Sequence, residues 1–150
     1  MSIDREAIYV ALFALILSKL GSTFVTISRR HIMPPDLSPA QQPALFICMD
    51  KESSAPQPRG TGGKLSLSVS LFIYCYQPAT NEAPGTETFL ASSQLNGLLK
   101  AIDDALATPS NIQTLGGLVS HCWTAGDTLI DQGILGQQAV AIVPLNILVP

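Results

Sequence analysis

The order of apolar patterns along the chain predicts an α+β fold: an antiparallel or mixed β-sheet with two main helices packed on one face. Three observations carry that reading. An unbroken apolar run opens the chain from Ala7 to Leu17. Leu65, Leu67, Val69, Leu71, Ile73 and Cys75 alternate with Ser66, Ser68, Ser70, Phe72, Tyr74 and Tyr76. Phe89, Leu95, Leu98, Leu99, Ile102 and Leu106 recur at helical spacing. The 150 residues fit one domain, 1–150, with a core of its own.

Taken in order, Ser2 or Asp4 caps a first helix running to about Leu20. Ile8, Leu12, Leu15 and Ile16 mark one face; Tyr9, Phe13, Leu17 and Leu20 mark another. Two apolar faces predict burial on two sides. Gly21 ends the helix. Thr23 to Met33 is β-branched and reads as a strand, with Arg29 and Arg30 pointing to opposite faces. Pro34-Pro35 stops it, and Pro39 to Pro43 is loop. Ala44 to Asp50 is a second strand. Lys51 to Gly63, with two Pro, three Gly and two Ser, reads as a mobile loop.

Lys64 to Gln77 is the clearest strand. About 13 residues at roughly 3.3 Å each span about 43 Å. A domain of this size is about 38 Å across. The strand therefore bends or projects. Either it twists strongly beneath a floppy loop, or its Ser-faced start forms a hairpin arm projecting toward a neighbouring subunit.

Pro78 to Gly85 is loop, and Thr86 or Thr88 caps a second helix through about Ala107, with Ser92, Gln94 and Asp103 facing out. Pro109 ends it. Leu118 to Ala125 reads as a strand, Gly126-Asp127 as a turn, and Thr128 to Ile130 and Gln138 to Val149 as strands around a Gly133–Gly136 turn. Pro144 inside the last strand predicts an edge position or a bulge.

Composition bounds the function. Apolar residues make up 47% of the chain and charged residues 13%, against roughly 25% charged in an average soluble domain. Such a surface is short of charge unless partner subunits cover part of it. The net charge of −3 leaves no basic footprint for nucleic acid. All eight Lys and Arg lie at or before Lys100, and Asp103, Asp104, Asp127 and Asp131 follow with no base, which predicts one acidic surface. Cys48, Cys75 and Cys122 each sit in an apolar run and read as buried free thiols. The 11-residue apolar run is too short to span a bilayer, and Asp4, Arg5 and Glu6 before it are not the basic start of a secretory signal. A buried core helix is the expectation, with no membrane partner.

The motifs that resemble chemistry do not hold up. Gly60-Thr-Gly-Gly-Lys64 resembles a phosphate loop, but Pro58 and Leu65 stand where Gly and Ser or Thr are required, and a strand follows where a helix is needed. His121 and Cys122 are adjacent in a strand and face opposite ways, so one ion does not engage both. Neither His31 nor His121 has a nucleophile elbow nearby. Asp103 and Asp104 diverge by about 100° on a helix. Trp123, Tyr74 and Tyr76 lack the interleaved basic residues of a single-strand binder. The chain is therefore expected to be neither an enzyme nor a binder of cofactor or metal.

One set of motifs, taken together, is informative. Pro43-Ala44-Leu45-Phe46-Ile47 opens the second strand and Tyr74 closes the long one. Leu95-Asn96-x-Leu98-Leu99 and Ala101-Ile102-Asp103-x-Ala105-Leu106 run along the second helix. Thr114-Leu115-Gly116-Gly117-Leu118-Val119, Asp131-x-Gly133-x-Leu135-Gly136-Gln137, Ala139 through Pro144 and Ile147-Leu148-Val149-Pro150 complete the series. In their order and spacing these resemble the tail terminator (tail completion) proteins of tailed bacteriophages, over most of the chain from Pro43 and more weakly in the first helix. The resemblance implies an α+β subunit of a virion ring, usually a hexamer. The ring caps the tail tube, ends its polymerisation and joins the tail to the head connector. Double-stranded DNA passes through its lumen without specific binding. It implies no catalytic residues and no cofactor. The Lys51–Lys64 loop matches the region where the family often projects a flexible arm. Lys51, Arg59, Gly60 and Lys64, with Tyr74 and Tyr76, are therefore candidates for a subunit or tube interface. Asp127 and Asp131 are candidates to line the channel. The alternatives are another head–tail connector or neck ring protein and, in a different class, a small bacterial ligand-binding module with an apolar pocket.

Overall fold

Strand β3, Lys64–Tyr76, forms the spine of the molecule. A computed structural model describes residues 3–55, 64–77, 91–107, 114–132 and 137–149. Among these, β3 pairs antiparallel on one edge with β2, Ala44–Ala55, and on the other with β6, Gln138–Val149. The β3–β6 ladder runs unbroken from Leu65 opposite Val149 to Tyr76 opposite Gln138. Strand β1, Thr26–Ser28, adds to β2 in parallel, so the sheet is mixed. On the free edge of β6 lie two short strands end to end: β4, His121–Thr124, and β5, Leu129–Asp131. The order is β1-β2-β3-β6-β4, with β5 also on β6. With helices α1, Arg5–Leu20, and α2, Ala91–Ala107, the fold is α+β.

The period-two pattern of β3 decides where the core lies. Leu65, Leu67, Val69, Leu71, Ile73 and Cys75 are all buried, as are Ala139, Ala141, Val143, Leu145, Ile147 and Val149 of β6. They form one cluster with Leu45 and Ile47 of β2 and with buried residues of both helices. Helix α2 contributes Leu95, Leu98, Ile102 and Leu106; α1 contributes Ile8, Tyr9, Leu12, Ile16 and Leu20. Each buried Leu, Ile or Val among them contributes about 1.5–3 kcal/mol by leaving water.

Helix α1 begins at Asp4, whose side chain accepts a hydrogen bond from Ala7 N at 3.0 Å. Two bidentate ion pairs orient it over the β1–β2 end. Arg5 meets Glu52 at 2.5 and 3.0 Å, and Arg29 meets Glu6 at 2.6 and 3.2 Å. The expected burial on two sides holds in part: Tyr9 and Leu20 of the second face are buried and Phe13 packs against the core, whereas Leu17 is exposed, as is Val10.

Several boundaries differ from the sequence reading, and tertiary pairing explains each. The expected strand from Thr23 to Met33 is reduced to Thr26–Ser28, because β1 finds partners only at Ala44, Leu45 and Phe46. Beyond Ser28 the chain crosses to the second face of the sheet. Residues 51–55, expected in a loop, instead extend β2, because Lys64 to Ser68 supply a hairpin partner for them. The register shifts between Met49 and Lys51, placing a bulge at Asp50 that bends the long hairpin. From Leu65 onward the Ser-faced start of β3 is held between β2 and β6, so its length lies within the sheet. The 56–63 tip, both proposed caps of α2 and the Gly133–Gly136 turn lie outside the described residues. The expected strand from Leu118 shrinks to His121–Thr124, since Leu115, Gly116 and Gly117 take positive φ in the turn before it. Ser92 and Gln94, expected to face out, are half-buried, and Gln94 Oε1 accepts from Cys75 Sγ at 2.9 Å.

Pro144 is accommodated by neither an edge strand nor a bulge. Its strand is interior, and its register with Ser70 is unbroken. On the other side it falls in the gap between β4 and β5: Leu145 pairs with Thr124, Ile142 pairs with Leu129, and Pro144 pairs with neither strand. Its carbonyl accepts from Ala125 N at 3.1 Å, so its missing N–H points into that gap. Gly126, at φ +103°, turns the chain there, and a Cβ on it would lie 3.4 Å from Pro144 Cγ.

Truncating the centre of this sheet and the outer face of α1 will have unequal effects. Leu67→Ala removes a fully buried side chain and is expected to lower stability by about 2–5 kcal/mol. Val10→Ala, at an exposed site, stays within about 0.5 kcal/mol. Urea unfolding of both variants checks the difference.

Candidate assembly surface

The second face of the sheet is partly covered by the chain between β1 and β2. His31 stacks on Tyr74 with ring centroids 5.7 Å apart, and lies 4.4 Å from Phe72 and 5.5 Å from Phe46. Leu37, Ala44, Phe46 and Tyr74 form a second, smaller buried cluster there. His31 Nε2 and Tyr74 Oη are 2.5 Å apart, and Met33 Sδ is 3.9 Å from the same oxygen. The tautomer of the neutral imidazole sets which of the two donates. Burial holds the His31 pKa below its ordinary value and pushes that of Tyr74 up. Gln42 and Gln138 exchange reciprocal amide hydrogen bonds of 2.9 and 2.7 Å, tying the covering segment to β6. Further along this face Ser66, Ser68, Ser70 and Asn146 are half-buried, and Ser66 Oγ donates to Asn146 Oδ1.

Large hydrophobic side chains are exposed at several places. They include Val10 and Leu17 of α1, Val25 just before β1, 63% exposed, Met33, and Met49 on β2, 68% exposed. At the β4–β5 end they are Leu118, Leu129 and Ile130, the last two 62% and 56% exposed. Arg30 is exposed and follows Arg29, which pairs with Glu6; Asp127 precedes β5 and Asp131 is its last residue. Between α2 and the β4–β5 turn lies a cleft of about 200 Å³.

The sequence-predicted residues are scattered over these surfaces. Lys51 is exposed on β2 opposite Ser68, and Lys64 is exposed at the start of β3 opposite Ala55. Arg59 and Gly60 lie outside the described residues. Tyr74, considered as an interface residue, is buried beneath His31 of the same chain. Tyr76 is half-buried and donates to Gln137 Oε1 at 2.7 Å. Asp127 and Asp131 are both exposed. The sequence reading placed Leu17 on a face expected to be buried and did not single out Val10, Val25, Leu129 or Ile130; Val10 and Leu17, seven residues apart on one side of α1, carried the available signal.

His121 is exposed and Cys122 fully buried, consistent with their opposite orientation in β4. All three cysteines are free thiols. Burial pushes Cys75 up to about 11 and Cys122 up to about 12, far from nucleophilic thiolates. Among the described residues no group of three or more His, Cys, Asp or Glu is placed to hold a metal ion, and no helix is long and apolar enough to cross a membrane. A scan against protein-family models and a search of curated proteins find no match to this chain.

The His31 contact has a pH signature. A base whose folded-state pKa is depressed contributes fully above its ordinary value of 6.5. That contribution declines as pH falls below this value toward the lower folded-state pKa, because the unfolded chain then binds the proton more readily. The wild-type chain is expected to lose stability on acidification in that window, and His31→Phe, which keeps the stacking, to flatten the loss. Thermal melts of both proteins across the window check this.

Proposed function

We propose that this chain is a structural subunit of a tailed-phage virion, a tail terminator that forms a ring on the end of the tail tube and joins it to the head connector. The observation that carries the assembly part is the exposure of large hydrophobic side chains, among them Val25, Met49, Leu129 and Ile130, in a chain only 13% charged. Such surface is suited to contacts between copies that close by rotation, as in a ring. Complementary surface is all that capping requires; no bond is made or broken. The phage assignment rests on the ordered motifs from Pro43 to Pro150 and on the α+β architecture they share with that family. The hexamer and the unspecific passage of DNA through the lumen belong to the same reading, as does a tube contact through the 51–64 hairpin.

A channel position for Asp127 and Asp131 has less physical support. Leu129 and Ile130 lie between them, and exposed aliphatic side chains gain nothing by facing hydrated DNA. We assign that strand to a subunit contact instead.

Added to polymerising tail tubes, the purified chain is expected to stop their growth, and negative-stain images are expected to show rings on the capped ends. Tubes that lengthen unchanged in its presence refute the proposal.

A further inference from the structure

We infer that residues 30–42 form a strap that lifts as one unit from the aromatic end of the sheet while the sheet and both helices stay folded. The pairing of β1 with β2 holds the two ends of the segment, and the bidentate Arg29–Glu6 pair ties its start to α1. Between those ends the backbone is bonded only locally. Arg30 N donates to Ser28 Oγ at 2.9 Å and Ser38 N to Gln41 Oε1 at 2.9 Å. The N–H groups of Asp36, Leu37, Gln41 and Gln42 each donate to the carbonyl three residues earlier, around two single 3-10 turns. Among the described residues, no backbone group of the strap is hydrogen-bonded to the sheet that it covers.

Side chains at three points attach it instead. His31 lies on Phe46, Phe72 and Tyr74; Leu37 shares a buried cluster with Ala44, Phe46 and Tyr74; Gln42 exchanges amide hydrogen bonds with Gln138. Within residues 30–42 Leu37 and Gln42 are buried, and the others are exposed or half-buried. Few buried contacts and purely local hydrogen bonds characterise a segment that opens at a fraction of the cost of global unfolding. The sheet beneath is built differently, with β3 bonded along both edges. Lifting the strap removes His31 and Leu37 together and leaves Phe46, Phe72 and Tyr74 on strands whose register is unchanged. The fold thus holds an aromatic surface that is hidden in the closed state and presented in the open one. This device is independent of the ring reading.

Native-state hydrogen exchange of the full chain tests it. The amides of Asp36, Leu37, Gln41 and Gln42 are expected to share one opening constant, larger than that of the β3 amides by on the order of a hundredfold. Their common dependence on urea is expected to be measurable, since the opening exposes surface, and weaker than that of β3. Two variants load the strap from separate points. Leu37→Ala, and Gln138→Ala on β6, which removes the partner of Gln42, are each expected to speed exchange of all four amides by one factor, about tenfold or more for Leu37→Ala. A response confined to the amides nearest each substitution overturns the strap, as do four unequal opening constants or an opening with no urea dependence, because the turns then fray piecemeal. Exchange of the four amides at the β3 rate overturns it as well, since the segment then opens only with the sheet.

Discussion

The pairing of β3 on both edges is the constraint on which the rest of the structure depends. A strand held between β2 and β6 cannot rotate or slip by one residue without turning six apolar side chains to the wrong face. At about 1.5–3 kcal/mol for each side chain, such a slip is prohibitive. With that register set, the β6 residues opposite must also be apolar at alternate positions, as Ala139 through Val149 are. The stripes of α1 and α2 then join the same cluster.

The second face follows from what the first consumes. Both helices contribute to the larger core, so the aromatic end of β3 is covered by other means. The segment after β1 takes that role, placing His31 over Phe46, Phe72 and Tyr74 and closing with the Gln42–Gln138 pair. The Ser-faced part of β3 keeps its hydroxyl groups half-buried. The aromatic positions of β3 therefore serve two purposes: Tyr74 completes a small core, while Tyr76 links β3 to the residue before β6.

A sheet of this width has two ends, and here both remain greasy. Arg29 is neutralised by Glu6 and Arg5 by Glu52, so the basic residues of the first third are partly spent in holding α1 in place. Asp127 and Asp131 fall at the far end with β5. Two of the carboxylates that follow Lys100 thus fall at one edge of the sheet, beside the exposed Leu129 and Ile130. That arrangement gives physical content to the low overall charge: the missing polar surface is missing at particular places.

The α+β class, the long alternating strand, the last strand from Gln138 to Val149, the helical stripe of α2 and the Gly126-Asp127 turn were legible in the sequence, because each rests on periodicity or turn chemistry within a few residues. The end of β2 was not legible: Lys51 to Ala55 is polar and becomes strand only because Lys64 to Ser68 lies opposite. Nor was the shortening of β1, the interior setting of Pro144 or the burial of Tyr74, each decided by a partner distant along the chain. For the candidate surface, composition indicated that something was uncovered, but not where. The place of Leu129 and Ile130 at one edge exists only once β5 pairs with β6, since the order of strands is set by long-range pairing and residue patterns encode only the local face each strand presents.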